Sequence, residues 1–183
     1  MAAKSPARHW LMKCEPSAYT IDDLERDGVT SWEGVRNFQA RNFMRDDMAV
    51  GDPVLFYASN ADPSGVTGLA KIARAGYPDP FATRKGHKYF DPDSTTDKPT
   101  WYMVDIKFVQ NFHGTVPLEA LKATKGLDKM VVTQKGSRLS IQPVTAAEYA
   151  VVVGLAQAAA VPASIAPGNA AKKKAPARKT RNT

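Results

Sequence analysis

The run Pro53-Val54-Leu55-Phe56-Tyr57-Ala58 is the tightest constraint on what this chain can fold into. Gly51-Asp52 precedes it, and the polar stretch Ser59-Asn60-Ala61-Asp62-Pro63-Ser64-Gly65 follows. A short apolar run between such breakers is a buried strand. Further strand candidates lie on both sides. His9–Lys13 ends at a Pro16 turn, Val29–Trp32 is short, and Val66–Ala75, Thr100–Phe112 and Leu139–Val144 complete the set. Helical signals are brief. Thr20 caps a segment with Asp23 three residues on, an apolar Ile21–Leu24 face and a stop at Gly28. Asn37–Arg45 suits one or two turns, Pro117–Lys122 starts another, and Thr145 with Glu148 forms a capping box for a helix reaching about Ala156. The order strand, helix, several strands, helix, strand, helix lacks the alternation of a doubly wound sheet. It predicts an α+β fold with a curled, mostly antiparallel sheet. Between strands, Tyr77–Pro99 holds four prolines. It reads as a long ordered surface loop of the kind that often carries function.

Charge narrows the partner classes only after it is located. The net charge of +7 invites a nucleic-acid reading. However, Lys172, Lys173, Lys174, Arg178, Lys179 and Arg181 lie in an Ala/Pro/Lys segment without acids, and Lys4 and Arg8 lie at the front. Removing these eight from the 25 basic residues leaves 17 against 18 acidic ones over 9–156, a net of −1. Any anion-binding face on the folded part is therefore a local patch or pocket, with Arg41, Arg45, Arg84, Lys85 and Lys88 as candidates. The expected organisation is a flexible tail over 1–8, one domain over 9–156 and a disordered basic tail over 157–183. No apolar run approaches the roughly 20 residues of a membrane span, and no signal-peptide pattern follows the start. One cysteine, Cys14, cannot form an internal disulfide, which favours a reducing intracellular compartment.

Catalytic patterns are weak. His9, His87 and His113 stand at no metal-ligand spacing, and a single cysteine excludes a thiolate zinc cluster, so no metal or cofactor is expected. Gly65-Val66-Thr67-Gly68 lacks the Lys and Ser/Thr of a phosphate loop. Cys14 as a nucleophile with His9 or His113 is the enzymatic alternative, a hydrolase or transferase of nucleotide-like molecules. A second alternative is a polyanion-binding scaffold acting through the basic tail.

Binding chemistry is stronger. Trp32-Glu33-Gly34-Val35-Arg36-Asn37-Phe38-Gln39-Ala40-Arg41-Asn42 combines a ring, a flexible glycine and a run of hydrogen-bonding side chains. Trp32 is either a core ring or a stacking wall, Asn37 either a base-edge partner or a helix cap, and Gly34 either a turn or a point of close backbone approach. Lys13 and Arg36 are candidate phosphate clamps or solvated charges. Ser59, Asn60 and Gln142 are candidate rim groups or ordinary strand-end polar residues.

Four segments read together resolve some of these choices. They are Trp10-Leu11-Met12-Lys13-Cys14-Glu15-Pro16, the Trp32–Asn42 stretch, Phe56-Tyr57-Ala58-Ser59-Asn60 and Arg138-Leu139-Ser140-Ile141-Gln142-Pro143-Val144. In this order, supported by Gly68-Leu69-Ala70, Tyr77-Pro78-Asp79-Pro80 and Trp101–Asp105, they resemble the EVE domain family from His9 to Ala156. The resemblance implies a PUA-like curled β-barrel flanked by short helices, related to domains that hold a methylated adenine in an aromatic pocket. It implies a non-catalytic reader of a modified base, such as a methylated or oxidised cytosine, in DNA or RNA. The matching segments place Lys13, Cys14, Glu15, Trp32, Gly34, Val35, Arg36, Asn37, Ser59, Asn60 and Gln142 in the binding site. The implied partners are nucleic acid carrying that base and a separate effector protein, with no membrane partner. The implied location is the cytoplasm in a bacterium or the nucleus in a eukaryote. The chain departs from the family at Cys14, usually Ser, at Phe38, often Tyr, and at Ala58, often His.

Overall fold

The computed structural model of the chain describes residues 7–160. Residues 1–6 and 161–183, which hold most of both predicted tails, lie outside the described residues. The predicted central strand is β3 (Pro53–Ala58), and it pairs on one side with β1 (His9–Cys14) and on the other with β4 (Gly65–Pro78). Adding β2 (Val29–Ser31), β5 (Tyr102–Pro117) and β6 (Ile141–Val144) gives the order β2-β5-β4-β3-β1-β6. The pairing of β1 with β3 is parallel, and all other pairings are antiparallel. Parallel neighbours need a crossover. Here it carries α1 (Ile21–Asp27), β2, α2 (Phe38–Asn42) and a π-helical turn at Phe43–Asp47. The mostly antiparallel α+β arrangement expected from the sequence is present as an open sheet, with β2 and β6 as its edges, and does not close into a barrel. Repeated register shifts between β4 and β5, and one between β3 and β4, curl it, because each bulge adds local twist.

Side chains alternate between two cores, one on each face of the sheet. Trp10, Met12, Val54, Phe56, Ala70 and Ile72 point to the face covered by α1 and α2. Leu11, Leu55, Tyr57 and Leu69 point to the face covered by α3 (Leu118–Ala123) and α4 (Ala146–Ala160). This alternation follows from the strand period of two, and it decides which polar residues of β1 can reach which site.

The local signals explain the helix ends. Thr20 and Asp23 form a reciprocal capping box, with backbone-to-side-chain bonds of 2.9 and 3.1 Å. Thr145 and Glu148 do the same for α4, at 2.9 and 3.2 Å. α4 continues to Ala160 instead of ending near Ala156, because Gln157 and the alanines after it are good helix formers. The long loop begins later than predicted, since β4 extends to Pro78. Asp79 then caps a 3-10 turn at Pro80–Ala82 by accepting the Phe81 N–H at 2.8 Å.

Candidate functional site

A cavity of about 250 Å³ opens where the end of β1, the turn after it, β2 and the long loop converge. Cys14, Ala18 and Tyr19 line it together with Thr30, Ser31, Trp32 and Glu33 from β2 and its continuation and Lys88 and Tyr89 from the long loop. The sequence builds this place by local steps. β2 is only three residues long, its continuation is held by the Trp32 N–H donating to the Val104 carbonyl at 2.8 Å, and the chain then turns at Gly34. Gly34 has φ +75°, and a Cβ there would sit within 2.7 Å of three Tyr89 ring carbons. Glycine is required for both reasons, because the backbone is left-handed and a ring lies flat against it.

Arg36 fastens the loop to this turn. Its guanidinium donates to the Asp79 carboxylate at 2.9 Å, to the Tyr89 carbonyl at 2.6 Å and to the Val35 carbonyl at 3.0 Å. The Asp79 side chain is fully buried, so this pair is structural in weight. The same guanidinium lies 5.3 Å from the ring centres of both Tyr89 and Trp101. Arg36 therefore commits three of its five guanidinium N–H groups to holding the loop.

Trp32 belongs to the core and also lines the cavity. It is 8% exposed and meets Phe56 edge-on at 5.7 Å within the core, while its remaining surface lines the cavity. Val35 is buried in the same core. Cys14, on the Trp10/Met12 face of β1, also reaches the cavity, and burial raises its thiol above the ordinary value of 9.0. Burial thus favours the neutral thiol, a weak hydrogen-bond donor. Tyr19 stays protonated as well, raised by burial and by donating to Asp27 at 2.9 Å. Lys88 lies 4.6 Å from the Tyr89 ring centre, and the Glu33 carboxylate accepts no hydrogen bond among the described residues.

A model of the EVE domain matches residues 8–155. The chain belongs to the EVE domain family. Human thymocyte nuclear protein 1 is 40% identical over 170 residues, spanning 83% of this chain and 75% of that protein. A hypothetical protein from Leishmania major has a similar structure, with TM-score 0.79, 44% identity and coverage of 84% of this chain and 97% of that one. The crystal structure of human THYN1 protein in complex with 5-methylcytosine-containing DNA matches with TM-score 0.75 and 40% identity, over 82% of this chain and 98% of that one.

Of the residues that the sequence singled out, this EVE domain brings only some together at the cavity. Trp32 and Cys14 line it, and Gly34 and Arg36 shape it from behind. Asn37 takes the helix-cap role, its side-chain oxygen accepting the Ala40 N–H at 3.0 Å. Lys13 and Gln142 sit on the opposite face of the sheet. Gln142 is the register partner of Leu11, so both point into the second core, and Lys13 alternates to the same side as Leu11. There Lys13 donates to the Ser137 carbonyl at 3.0 Å and Gln142 to Ser137 Oγ at 2.8 Å. Gln142 is 1% exposed and its Oε1 has no hydrogen-bond partner among the described residues. Glu15 and Asn60 pair with each other at 2.6 Å on the surface, and the Ser59 N–H donates to the Cys14 carbonyl at 2.9 Å. These two contacts hold the strand ends above the cavity without lining it.

Ala18, Tyr19, Thr30, Ser31, Glu33 and Tyr89 line the cavity without having been singled out as site residues from the sequence, and Lys88 was named only as a candidate for a positive patch. Tyr89 lies in a loop with no hydrophobic period to mark it. The available signal was the length of the Tyr77–Pro99 connection, together with the unexplained glycine that its ring needs. Among the described residues no group of three or more His, Cys, Asp or Glu side chains could hold a metal ion, and no helix is long and apolar enough to cross a membrane.

Proposed function

We propose that this chain is a non-catalytic reader that takes one modified nucleobase of a nucleic acid into the cavity between Trp32 and Tyr89. The observation carrying this is the cavity itself, lined by the Trp32 and Tyr89 rings, the Glu33 carboxylate and the Lys88 ammonium. It occurs in a member of a family whose human relative THYN1 has been crystallised with 5-methylcytosine-containing DNA. Tyr89 offers the more accessible ring, and Trp32 the more buried one. Glu33 is the acceptor suited to an exocyclic amino group of the base. Lys88 stands where a flanking phosphate would pass.

Shape alone gives modest discrimination. Burying one added methyl group is worth about 0.8 kcal/mol, roughly fourfold in affinity. Larger preferences need a hydrogen bond that the wrong base leaves unmade, worth about 1–3 kcal/mol. In a duplex, extruding the base costs a few kcal/mol more, so single-stranded or mismatched sites bind more tightly. Burial that raises the Cys14 thiol above its ordinary value supports binding without turnover through that group.

Titration of the full chain with oligonucleotides carrying 5-methylcytosine or plain cytosine tests this. A several-fold preference for the modified strand is expected, reduced in Tyr89→Ala and in Glu33→Gln while both variants keep the wild-type melting temperature within a few degrees. Equal affinity of the wild-type chain for both strands would sink the proposal.

A further inference from the structure

From the cavity, a continuous series of rings and cations runs to the surface. The Arg36 guanidinium bridges Tyr89 and Trp101 at 5.3 Å from each ring centre. Trp101 stacks on Phe38, with centroids 5.0 Å apart and planes 27° from parallel. Arg41 then lies 5.1 Å from the centre of the Phe38 ring. Trp101 is 6% exposed and held by its indole N–H donating to Asp91, whereas Phe38 is 60% exposed. Phe38 is the first residue of α2, immediately after the Asn37 cap, so its backbone is fixed. One face of the exposed Phe38 ring is thus supported by a buried tryptophan.

The cation beside this ring, Arg41, is in no ion pair among the described residues. Arg41 is positioned by donating to the Thr100 carbonyl at 2.6 Å and to Asn42 at 2.8 Å, neither of which is a carboxylate. Arg41, Arg84, Lys85 and Lys88 form no ion pair among the described residues, in contrast to Arg36 with Asp79 and Arg45 with Asp46. The long loop repeats the pattern on its own side, where Arg84 lies over Phe81 and Phe81 stacks on His87 at 4.7 Å. An exposed ring beside a guanidinium that forms no ion pair among the described residues is complementary to a single nucleic-acid strand, which offers a flat base and a phosphate at each step.

Resting on the reader function proposed for the cavity, we infer that Phe38 is a second nucleobase site. The face of Phe38 stacks a base neighbouring the one in the cavity, and Arg41 holds the intervening phosphate. The site is indifferent to base identity, since every base has a π-face. It lets the domain hold a strand open around the base being read.

The test uses the full chain and pentanucleotides with a central 5-methylcytosine, having either natural or abasic flanks. Phe38→Ala weakens binding of the natural-flank strand by about tenfold or more and leaves the abasic-flank strand unchanged, a range set by base–aromatic stacking. Phe38→Tyr restores wild-type affinity. Arg41→Gln lowers the dependence of log affinity on log salt by roughly one unit. The inference is overturned if Phe38→Ala binds the natural-flank strand as tightly as wild type, or loses equally on both strands. It is also overturned if the variant instead abolishes a concentration-dependent self-association, which would make the ring a contact between copies. Failure of the cavity proposal is a separate result. Wild type would then bind modified and plain strands alike, and Phe38→Ala would still weaken both natural-flank strands.

Discussion

Gly34→Ala is the most exacting perturbation of the site, because one methyl group is opposed by two independent causes. The backbone there has φ +75°, and an alanine in that region costs about 1–2 kcal/mol. The new Cβ would also sit within 2.7 Å of three Tyr89 ring carbons, so the ring must retreat by about 1 Å to reach ordinary contact near 3.5 Å. Tyr89 cannot retreat freely, since its carbonyl accepts from Arg36 at 2.6 Å. Weakening that charge-assisted bond adds about 1.5–3 kcal/mol, which brings the total to roughly 3–5 kcal/mol. For a domain of this size that is a fall in melting temperature of about 6–20 °C. Thermal and urea unfolding of Gly34→Ala would be measured in the wild-type and Tyr89→Ala backgrounds. With the ring removed, the clash vanishes and only the backbone cost of about 1–2 kcal/mol remains, so the cycle shows a coupling of about 2 kcal/mol. An equal cost in both backgrounds would refute the packing of Tyr89 on Gly34, and with it the placement of that ring at the cavity.

Arg36→Met is expected to destabilise the fold by about 3 kcal/mol, because it strands the Asp79 carboxylate in a buried site, and Asp79→Asn in the same chain recovers part of the loss. Urea unfolding of both variants checks it, and a double variant no more stable than Arg36→Met would contradict the pairing. Cys14→Ser keeps the oligonucleotide preference, since the thiol lines the cavity without reacting. Cys14 is alkylated more slowly in the folded chain than in urea at the same pH. Burial raises the folded thiol above 9.0, so the unfolded chain loses its proton first as pH rises. Cys14 therefore contributes a loss of stability that begins near pH 9 and is absent in Cys14→Ser, a difference visible in melting curves taken from pH 7 to 10.

The fold was largely legible from local signals. The apolar run at Pro53–Ala58, the capping pairs Thr20/Asp23 and Thr145/Glu148, and the stop at Gly28 each act within a few residues, and each marks an element in the structure. The barrel closure was not legible, because closure depends on where bulges fall in β4 and β5 and on which strands remain edges. Of the site, Trp32, Cys14 and the need for a glycine at position 34 were readable from residue type and resemblance. The faces of Lys13 and Gln142 were not, since a strand's pattern gives two faces without saying which one looks onto the cavity. Asn37 carried equal local support for a cap and for a base contact, and only the tertiary structure shows its oxygen accepting the Ala40 N–H as a cap.

By itself, the sequence determined which segments are strands and helices, the location of net charge outside the core, and the family. Those properties depend on neighbours along the chain. Only the tertiary structure decided that Tyr89 lines the cavity, that Arg36 holds the long loop, and that Phe38 is presented on Trp101. Each of these contacts joins residues more than forty positions apart, and no local period records such a pairing.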